Sequence, residues 1–180
     1  DTSYAYWYLF NFDPNFDAEY EPENWKLAVN NENFRKSIVH AFNRMPALAT
    51  SDRIDPESLK NNTITPNAFA SASKDYTYYE GLAAYTDGDN FDKALAEEYK
   101  AAAIDELTAA GATFPIKMLM CYNPTSANWA QECQVVEQQI ETVLGADYVD
   151  IIIQAGPETG FLGAIRRTGN YATAAIRCAI

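Results

Sequence analysis

One histidine, three cysteines and a run of carboxylates at 87–92 are the residues whose chemistry could build a catalyst or a metal site. His40 lies inside a stretch of helical periodicity with no Ser-His-Asp or metal-ligand pattern beside it. Either role needs partners converging from elsewhere, so His40 reads as structural or as a surface residue. Asp87-Gly88-Asp89-Asn90-Phe91-Asp92 gathers three carboxylates whose oxygens suit calcium. An EF-hand loop, however, wants Gly at its sixth place and a distal Glu, and here the sixth residue is Asp92. The better reading is a turn that caps a helix starting near Asp92. Cys121, Cys133 and Cys178 follow neither CxxC nor zinc spacing. Their odd number excludes complete pairing. A Cys121–Cys178 bridge stands beside the alternative of three buried thiols packing as small hydrophobes.

Two further segments bear on ligands. Gly156-Pro157-Glu158-Thr159-Gly160-Phe161-Leu162-Gly163 follows a strand and precedes a helix. It lacks the Lys-Ser/Thr of a P-loop and the glycine spacing of a dinucleotide site, so it reads as a βα loop, and nothing in the chain calls for a cofactor. Tyr122-Asn123-Pro124-Thr125-Ser126 also leaves a strand for a helix. Ligands of open α/β sheets collect outside the carboxyl ends of strands, where helix-start N–H groups accept carboxylates. Arg177, near the end of a later strand, could approach the same edge and hold a carboxylate with two parallel bonds. An Arg177 paired with a structural Asp or Glu is the competing reading. Asn61-Asn62-Thr63 fits an N-glycosylation sequon, a pattern frequent by chance.

These residues must be carried by a scaffold that the pattern of the chain outlines. At 180 residues the length fits one domain with a real core. The 12 Tyr and 3 Trp suit a core or a wet cleft, with the core favoured. A net charge of −12 argues against nucleic acid as a partner and disfavours an anionic membrane. No apolar run approaches the ~20 residues of a membrane span, so direct membrane insertion is not expected. Asp1–Tyr6 has neither the basic start nor the apolar stretch of a signal peptide, which points to a mature, cytosolic or cut-out chain.

Tyr4–Phe12 is strand-like, and 13–24, with two prolines and many acids, reads as a loop. Asn31 caps a helix that shows Phe34, Ile38, Ala41 and Phe42 on one face. Met45-Pro46 ends or re-aims it. From Ala47 to Asp89 the chain is irregular, punctuated by Pro56, Pro66, Gly81 and Gly88, with Phe69, Tyr76, Tyr78, Tyr79 and Tyr85 available to pin it. The second half is regular. A helix over 92–110 is stopped by Gly111, and strand 115–122 follows. Helix 126–144 is ended by Gly145. Strand 148–154, a short helix 157–167 and strand 171–180 complete the chain. Strand–helix alternation predicts an α/β fold with a small parallel sheet flanked by helices.

Asn30-Asn31-Glu32-Asn33-Phe34-Arg35-Lys36-Ser37-Ile38-Val39-His40-Ala41-Phe42-Asn43-Arg44 resembles the N-x-x-(V/F)-R-x-A-I-x-x-A-(I/F)-(D/N)-R signature of extracellular solute-binding protein family 5, the oligopeptide- and dipeptide-binding components of ABC importers. Tyr4–Asn11 is similar to the hinge strand by which those proteins enter their second lobe. Asn90–Gly111, Ile116–Asn123, Gln131–Leu144 with the following Val149–Ile153, and Arg167–Tyr171 resemble later motifs of the family in the same order. The resemblance covers nearly the whole chain. It implies a periplasmic-binding-protein-like lobe, with 1–12 as hinge strand, 13–91 as signature helix plus irregular excursion, and 92–180 as the strand and helix core. Family members run on into a W-x-x-D-Y-x-D-P segment and carry a first lobe before the hinge strand. Here Ile180 stands where Trp is usual, so the resemblance implies a fragment of the second lobe.

The function implied is solute capture, oligopeptides above all, by hinge closure and without covalent chemistry. The partners implied are a peptide ligand and the importer's membrane subunits. The place implied is extracellular or periplasmic, with a lipid anchor or signal peptide on the parent. Arg177, Tyr122 and Asn123 are the foremost candidates to face the ligand, followed by Asn128 and Trp129 at the helix start. The competing readings are a small α/β hydrolytic enzyme, a binder of nickel, haem or sugar, and a self-associating module.

Overall fold

The computed structural model describes residues 4–62, 71–73, 76–77 and 88–179. Strand β1, Tyr4–Phe10, is followed by Asn11, a buried polar residue that turns the chain. Its Nδ2 donates to the carbonyls of Tyr171 at 2.8 Å and Gly169 at 3.1 Å, and its own carbonyl accepts the Trp25 indole N–H at 2.8 Å. Buried amides are tolerated when satisfied in this way.

Residues 13–24, read from the sequence as loop, instead hold a one-turn helix at Ala18–Tyr20 and the start of α1, Pro22–Asn30. The physical reason is that Pro22 occupies the first helical position, where the missing N–H costs nothing and the fixed φ is already helical. The buried stripe of α1 is only Trp25, Ala28 and Val29, too short to show as a period.

Helix α2, Glu32–Ala41, begins as its sequence predicts: the Asn31 side chain accepts the Phe34 N–H at 2.8 Å. Phe34 and Ile38 are buried, but Phe42 is only half-buried. It stands past the helix end with φ −90° and ψ 103°, so it leaves the helical face and meets Tyr8 edge-on. Asn43 then caps α3, Arg44–Leu48, which carries Pro46 inside its first turn. The chain is thus re-aimed there.

Of the excursion, the structure describes a one-turn helix at Pro56–Leu59 and a two-stranded antiparallel hairpin, β2 (Ser71–Ser73) with β3 (Tyr76–Thr77). Pro66, Phe69, Tyr78, Tyr79, Gly81 and Tyr85 lie outside the described residues, as does the Tyr76 side chain.

Helix α4, Lys93–Ala109, is capped by Asp92, whose carboxylate accepts the Leu95 N–H at 3.0 Å. It ends in a Schellman turn: Ala112 N–H reaches Leu107 C=O, Gly111 N–H reaches Thr108 C=O, and Gly111 takes φ 88°. Glu106 on its exposed side receives the amides of Asn31 and Asn33 at 2.6 and 2.9 Å, fastening the start of α2.

Strand β4, Ile116–Tyr122, leads through α5, Trp129–Leu144, to β5, Val149–Ala155. A π-helical turn, Leu162–Arg166, precedes β6, Thr173–Ala179. The helix expected over 157–167 is therefore wound only in its second half. Gly160, with φ 73°, holds the chain out of helix up to Phe161.

The sheet order is β1-β6-β4-β5. The β4–β5 and β4–β6 pairs are parallel, and β1 runs antiparallel along β6 at the edge. β4 is buried on both faces, as a central parallel strand should be. An aromatic chain crosses the core on one face: Phe10–Trp25 at 6.3 Å, Trp25–Phe34 at 5.8 Å, Phe34–Tyr148 at 5.8 Å and Tyr148–Phe114 at 5.7 Å between ring centroids. Most of these rings are core, in the geometry such pairs prefer.

Candidate functional site

Parallel pairing puts the ends of three strands on one edge. Tyr122 is level with Ala155 in the β4–β5 register, and β6 runs the same way to Ala179. β1 runs oppositely, so its first residue, Tyr4, stands opposite Ala179 at that same edge. Two loops leave the edge from adjacent strands. Residues 123–128 lead into α5, and 156–161 lead into the π-helical turn and across to β6. The first returns to β5 on one side of β4, and the second reaches β6 on the other. This is the switch of direction at which α/β sheets form their ligand crevice.

An aromatic pair stands between these loops. Trp129, at the start of α5, lies on Phe161 with ring centroids 5.4 Å apart. Gly156 passes beneath: a Cβ there would stand 2.5 Å from the Phe161 ring, so only glycine fits. Gly156 N–H also donates to Tyr122 C=O at 2.9 Å, joining the two loops. The indole N–H of Trp129 is buried without a hydrogen-bond partner among the described residues.

Around this pair the other expected residues are spread. Tyr122 closes β4 and is half-buried. Asn123 shapes its own loop, its Oδ1 accepting the Thr125 N–H at 3.0 Å and hydroxyl at 2.8 Å. Asn128 is exposed, in the left-handed region at φ 69°, and its side chain caps none of the first N–H groups of α5. Asn tolerates that conformation better than other non-glycine residues. Arg177 stands opposite Tyr6 in the β1–β6 ladder, and its side chain is outside the described residues. The structure therefore brings Tyr122, Asn123, Asn128 and Trp129 to one edge and sets the Arg177 backbone in the strand pair beside it.

One polar pair at this edge was not anticipated. The Tyr8 phenol donates to Glu132 Oε1 at 2.9 Å, joining β1 to the first turn of α5. Burial pushes the Glu132 carboxyl above the usual carboxylate range, while the Tyr8 bond pulls it back in part. Burial first, and the Glu132 charge next, keep the Tyr8 phenol firmly protonated. A signal existed: Glu132 stands three residues after Trp129 and four before Val136, which places a carboxylate on the buried stripe of α5.

The other candidate chemistry resolves into structure. His40 Nδ1 lies 2.6 Å from Asn90 O, and its ring stacks on Tyr99 at 5.6 Å, so it fastens α2 to the start of α4. Asp89 pairs with Lys60 at 3.1 Å and Asp92 caps α4, while Asp87 lies outside the described residues. Among the described residues no group of three or more His, Cys, Asp or Glu is placed to hold a metal ion. Cys121 and Cys133 are buried free thiols, pushed up to about 11 and about 12, by burial above all. Cys121 is therefore not in the bridge to Cys178 that the sequence left open. No helix among the described residues is long and apolar enough to cross a membrane.

No family model matches the chain. In sequence it is 29% identical over 175 residues to the oligopeptide-binding protein AliB of Streptococcus pneumoniae, covering 85% of this chain and 27% of AliB. It is 32% identical over 146 residues to AliA of the same organism, covering 72% of this chain and 22% of AliA. The chain thus spans about a quarter of the length of the curated relatives it matches. In fold it is similar to the substrate-binding domain of an oligopeptide ABC transporter from Bacillus anthracis, with TM-score 0.70 at 14% identity, covering 98% of this chain and 30% of that one. A peptide-binding protein of a peptide ABC transporter matches with TM-score 0.69 at 17% identity, covering 98% and 68%. The chain is related to oligopeptide-binding proteins over most of its length, and it has the α/β architecture of substrate-binding lobes.

Proposed function

We propose that this chain forms the greater part of one lobe of the peptide-capturing subunit of an ABC importer, acting outside the cell. The observation that carries the reading is the sequence relation to AliA and AliB over most of the chain. The sheet supports it. β1 and β6 lie side by side and leave together at the edge where the ligand loops stand, as the two arms of a hinge would.

In this reading the edge formed by Tyr122, Asn123, Asn128 and Trp129 is half of a cleft, and a second lobe closes on it over an extended peptide. Arg177 holds a ligand carboxylate with two parallel bonds. The uncapped start of α5 offers N–H groups to the same kind of charge. The Trp129–Phe161 pair supplies an apolar wall. No step of covalent chemistry is involved, and no cofactor is needed. The partners are an oligopeptide and the importer's membrane subunits, and the net charge of −12 suits a secreted or surface-anchored protein.

Calorimetry tests this. The complete gene product is expected to bind short peptides with micromolar or tighter affinity, whereas residues 1–180 alone offer an open face where charge-assisted bonds are weakened by water. Turnover of a peptide or ester that disappears on replacing His40 would overturn it, as would tight binding of nickel, haem or a sugar with no heat from any peptide.

A further inference from the structure

The β1–β6 ribbon is tied into the domain unevenly. At its inner end Thr173 pairs with Met120, the Ala172 N–H donates to Leu119 C=O at 2.8 Å, and Asn11 is bonded to Gly169 and Tyr171. Among the described residues the ladder to β4 stops at Thr173, yet β6 continues to Ala179. Counting along both strands from the Met120–Thr173 pair, Tyr122 comes level with Ala175, and Ala175 faces Tyr8 across the ribbon. Residues 176–179 therefore overhang the end of β4 by about 13 Å, at roughly 3.3 Å per residue.

Tyr8 stands where that overhang begins. Its hydroxyl is bonded to Glu132 at the head of α5, and its ring meets Phe42, just past the end of α2, edge-on at 6.0 Å. The choice of a carboxylate at 132 is costly. It is half-buried, it faces a neutral phenol, and no ion pair to it occurs among the described residues. Such a group lowers stability relative to an amide that could accept the same proton. An ionised acceptor makes the shorter and stronger bond.

We infer that Glu132 is the positioning residue that grips the ribbon through Tyr8 and so sets the direction in which β1 and β6 leave the domain. This rests on the reading of the ribbon as a hinge. A hinge concentrates its φ/ψ change in a few residues next to a fixed point. The Tyr8–Glu132 bond stands at the boundary between the part of the ribbon alongside β4, 8–10 with 173–175, and the overhang, 4–7 with 176–179. Bending is assigned to the overhang.

The test is amide hydrogen exchange in the complete gene product without ligand, with peptide affinity measured alongside. Tyr8→Phe and Glu132→Ala are each expected to speed exchange of the ladder amides of β1 and β6 by about tenfold or more, with Met118–Cys121 unchanged. Glu132→Gln, whose carbonyl accepts the same hydrogen bond without the charge, should recover most of the wild-type protection and fall short of all of it. The two loosening variants should also change peptide Kd where the wild type binds peptide. An unaltered ribbon, or acceleration spread equally through Met118–Cys121, overturns the inference. So does a loosened ribbon with unchanged Kd. Absence of peptide heat from the wild type, with the exchange pattern as expected, would instead sink the peptide reading and leave the grip on the ribbon standing.

Discussion

Ser37 Oγ lies 2.8 Å from the Tyr148 hydroxyl, and both side chains are buried. Ser37 spends its own proton on Phe34 C=O at 2.6 Å, so the phenol is the donor in this pair. Burial outweighs the Ser37 bond and pushes the phenol up to about 12, which keeps it a donor at neutral pH. The contact fastens α2 to the residue just before β5. Ser37→Ala leaves a buried hydroxyl unsatisfied and should cost about 1–3 kcal/mol in urea melts. Tyr148→Phe leaves Ser37 with its bond to Phe34 and should cost about 1 kcal/mol. The double variant should then resemble Tyr148→Phe, and strict additivity would show that the hydroxyls do not interact.

Phe34 and Phe42 lie on the same helical face by spacing and separate in space. Phe34 is fully buried between Trp25 and Tyr148, so Phe34→Ala should cost about 3–5 kcal/mol. Phe42 is half-buried against Tyr8, and Phe42→Ala should cost about 1–2 kcal/mol. Equal losses in chemical denaturation would mean that the end of α2 is placed wrongly.

What was legible in the sequence was what a few neighbouring residues decide. Asn31 and Asp92 cap helices with their own side chains, and Gly111 ends one by a backbone conformation other residues resist. The parallel sheet followed from strand–helix alternation. The helix at Pro22–Asn30 was not legible, because its three buried residues make too short a period and its proline reads as a breaker. For the proposed site, the sequence indicated where residues would stand more than how they would be arranged. Strand ends and loop chemistry put Tyr122, Asn123, Asn128 and Trp129 at one edge. That Trp129 turns onto Phe161, and that Glu132 reaches back to β1, depend on contacts 32 and 124 residues apart that no local pattern encodes.

Gly156 offers a direct probe of that edge. In Gly156→Ala the new methyl meets the Phe161 ring at 2.5 Å and Ile165 at 3.1 Å, so Phe161 must move off Trp129. The variant should lose about 1–3 kcal/mol and shift the emission of Trp129. A spectrum and melting curve like the wild type's would mean that the Trp129–Phe161 pair is looser than described.

Glu132 makes the stability of the domain depend on pH. Its carboxyl is raised in the folded state by burial. A raised carboxyl contributes stability that is fully present below the unfolded value, about 4.3, and lost as pH rises through the folded value. Glu137 is raised as well, by burial and then by Glu141 and Asp150, so each variant must be compared with the wild type at the same pH. Glu132→Gln removes the buried charge and keeps an acceptor for Tyr8. It should melt higher than the wild type at pH 7, with the gap closing as pH falls toward 4. A gap that widens toward acid would mean that the carboxylate is stabilised by the fold.

Arg177 carries the sharpest claim about the ligand. A guanidinium facing a peptide carboxylate makes two parallel charge-assisted bonds, whereas an amidated terminus can offer only one neutral acceptor. Hydrogen bonds to charged groups contribute about 1.5–3 kcal/mol, and each 1.4 kcal/mol is a factor of ten in affinity. In the complete gene product Arg177→Ala should therefore weaken binding of free-acid peptides by about tenfold or more. Peptides of the same sequence with an amidated terminus should bind wild type and variant nearly alike. Arg177→Lys should recover only part of the loss, because an ammonium cannot match the planar fork. Calorimetry on the four combinations of protein and peptide separates this from general damage. An equal loss for acid and amide would mean that Arg177 supports the ribbon and does not read the ligand's charge, and the carboxylate contact would then have to come from the start of α5.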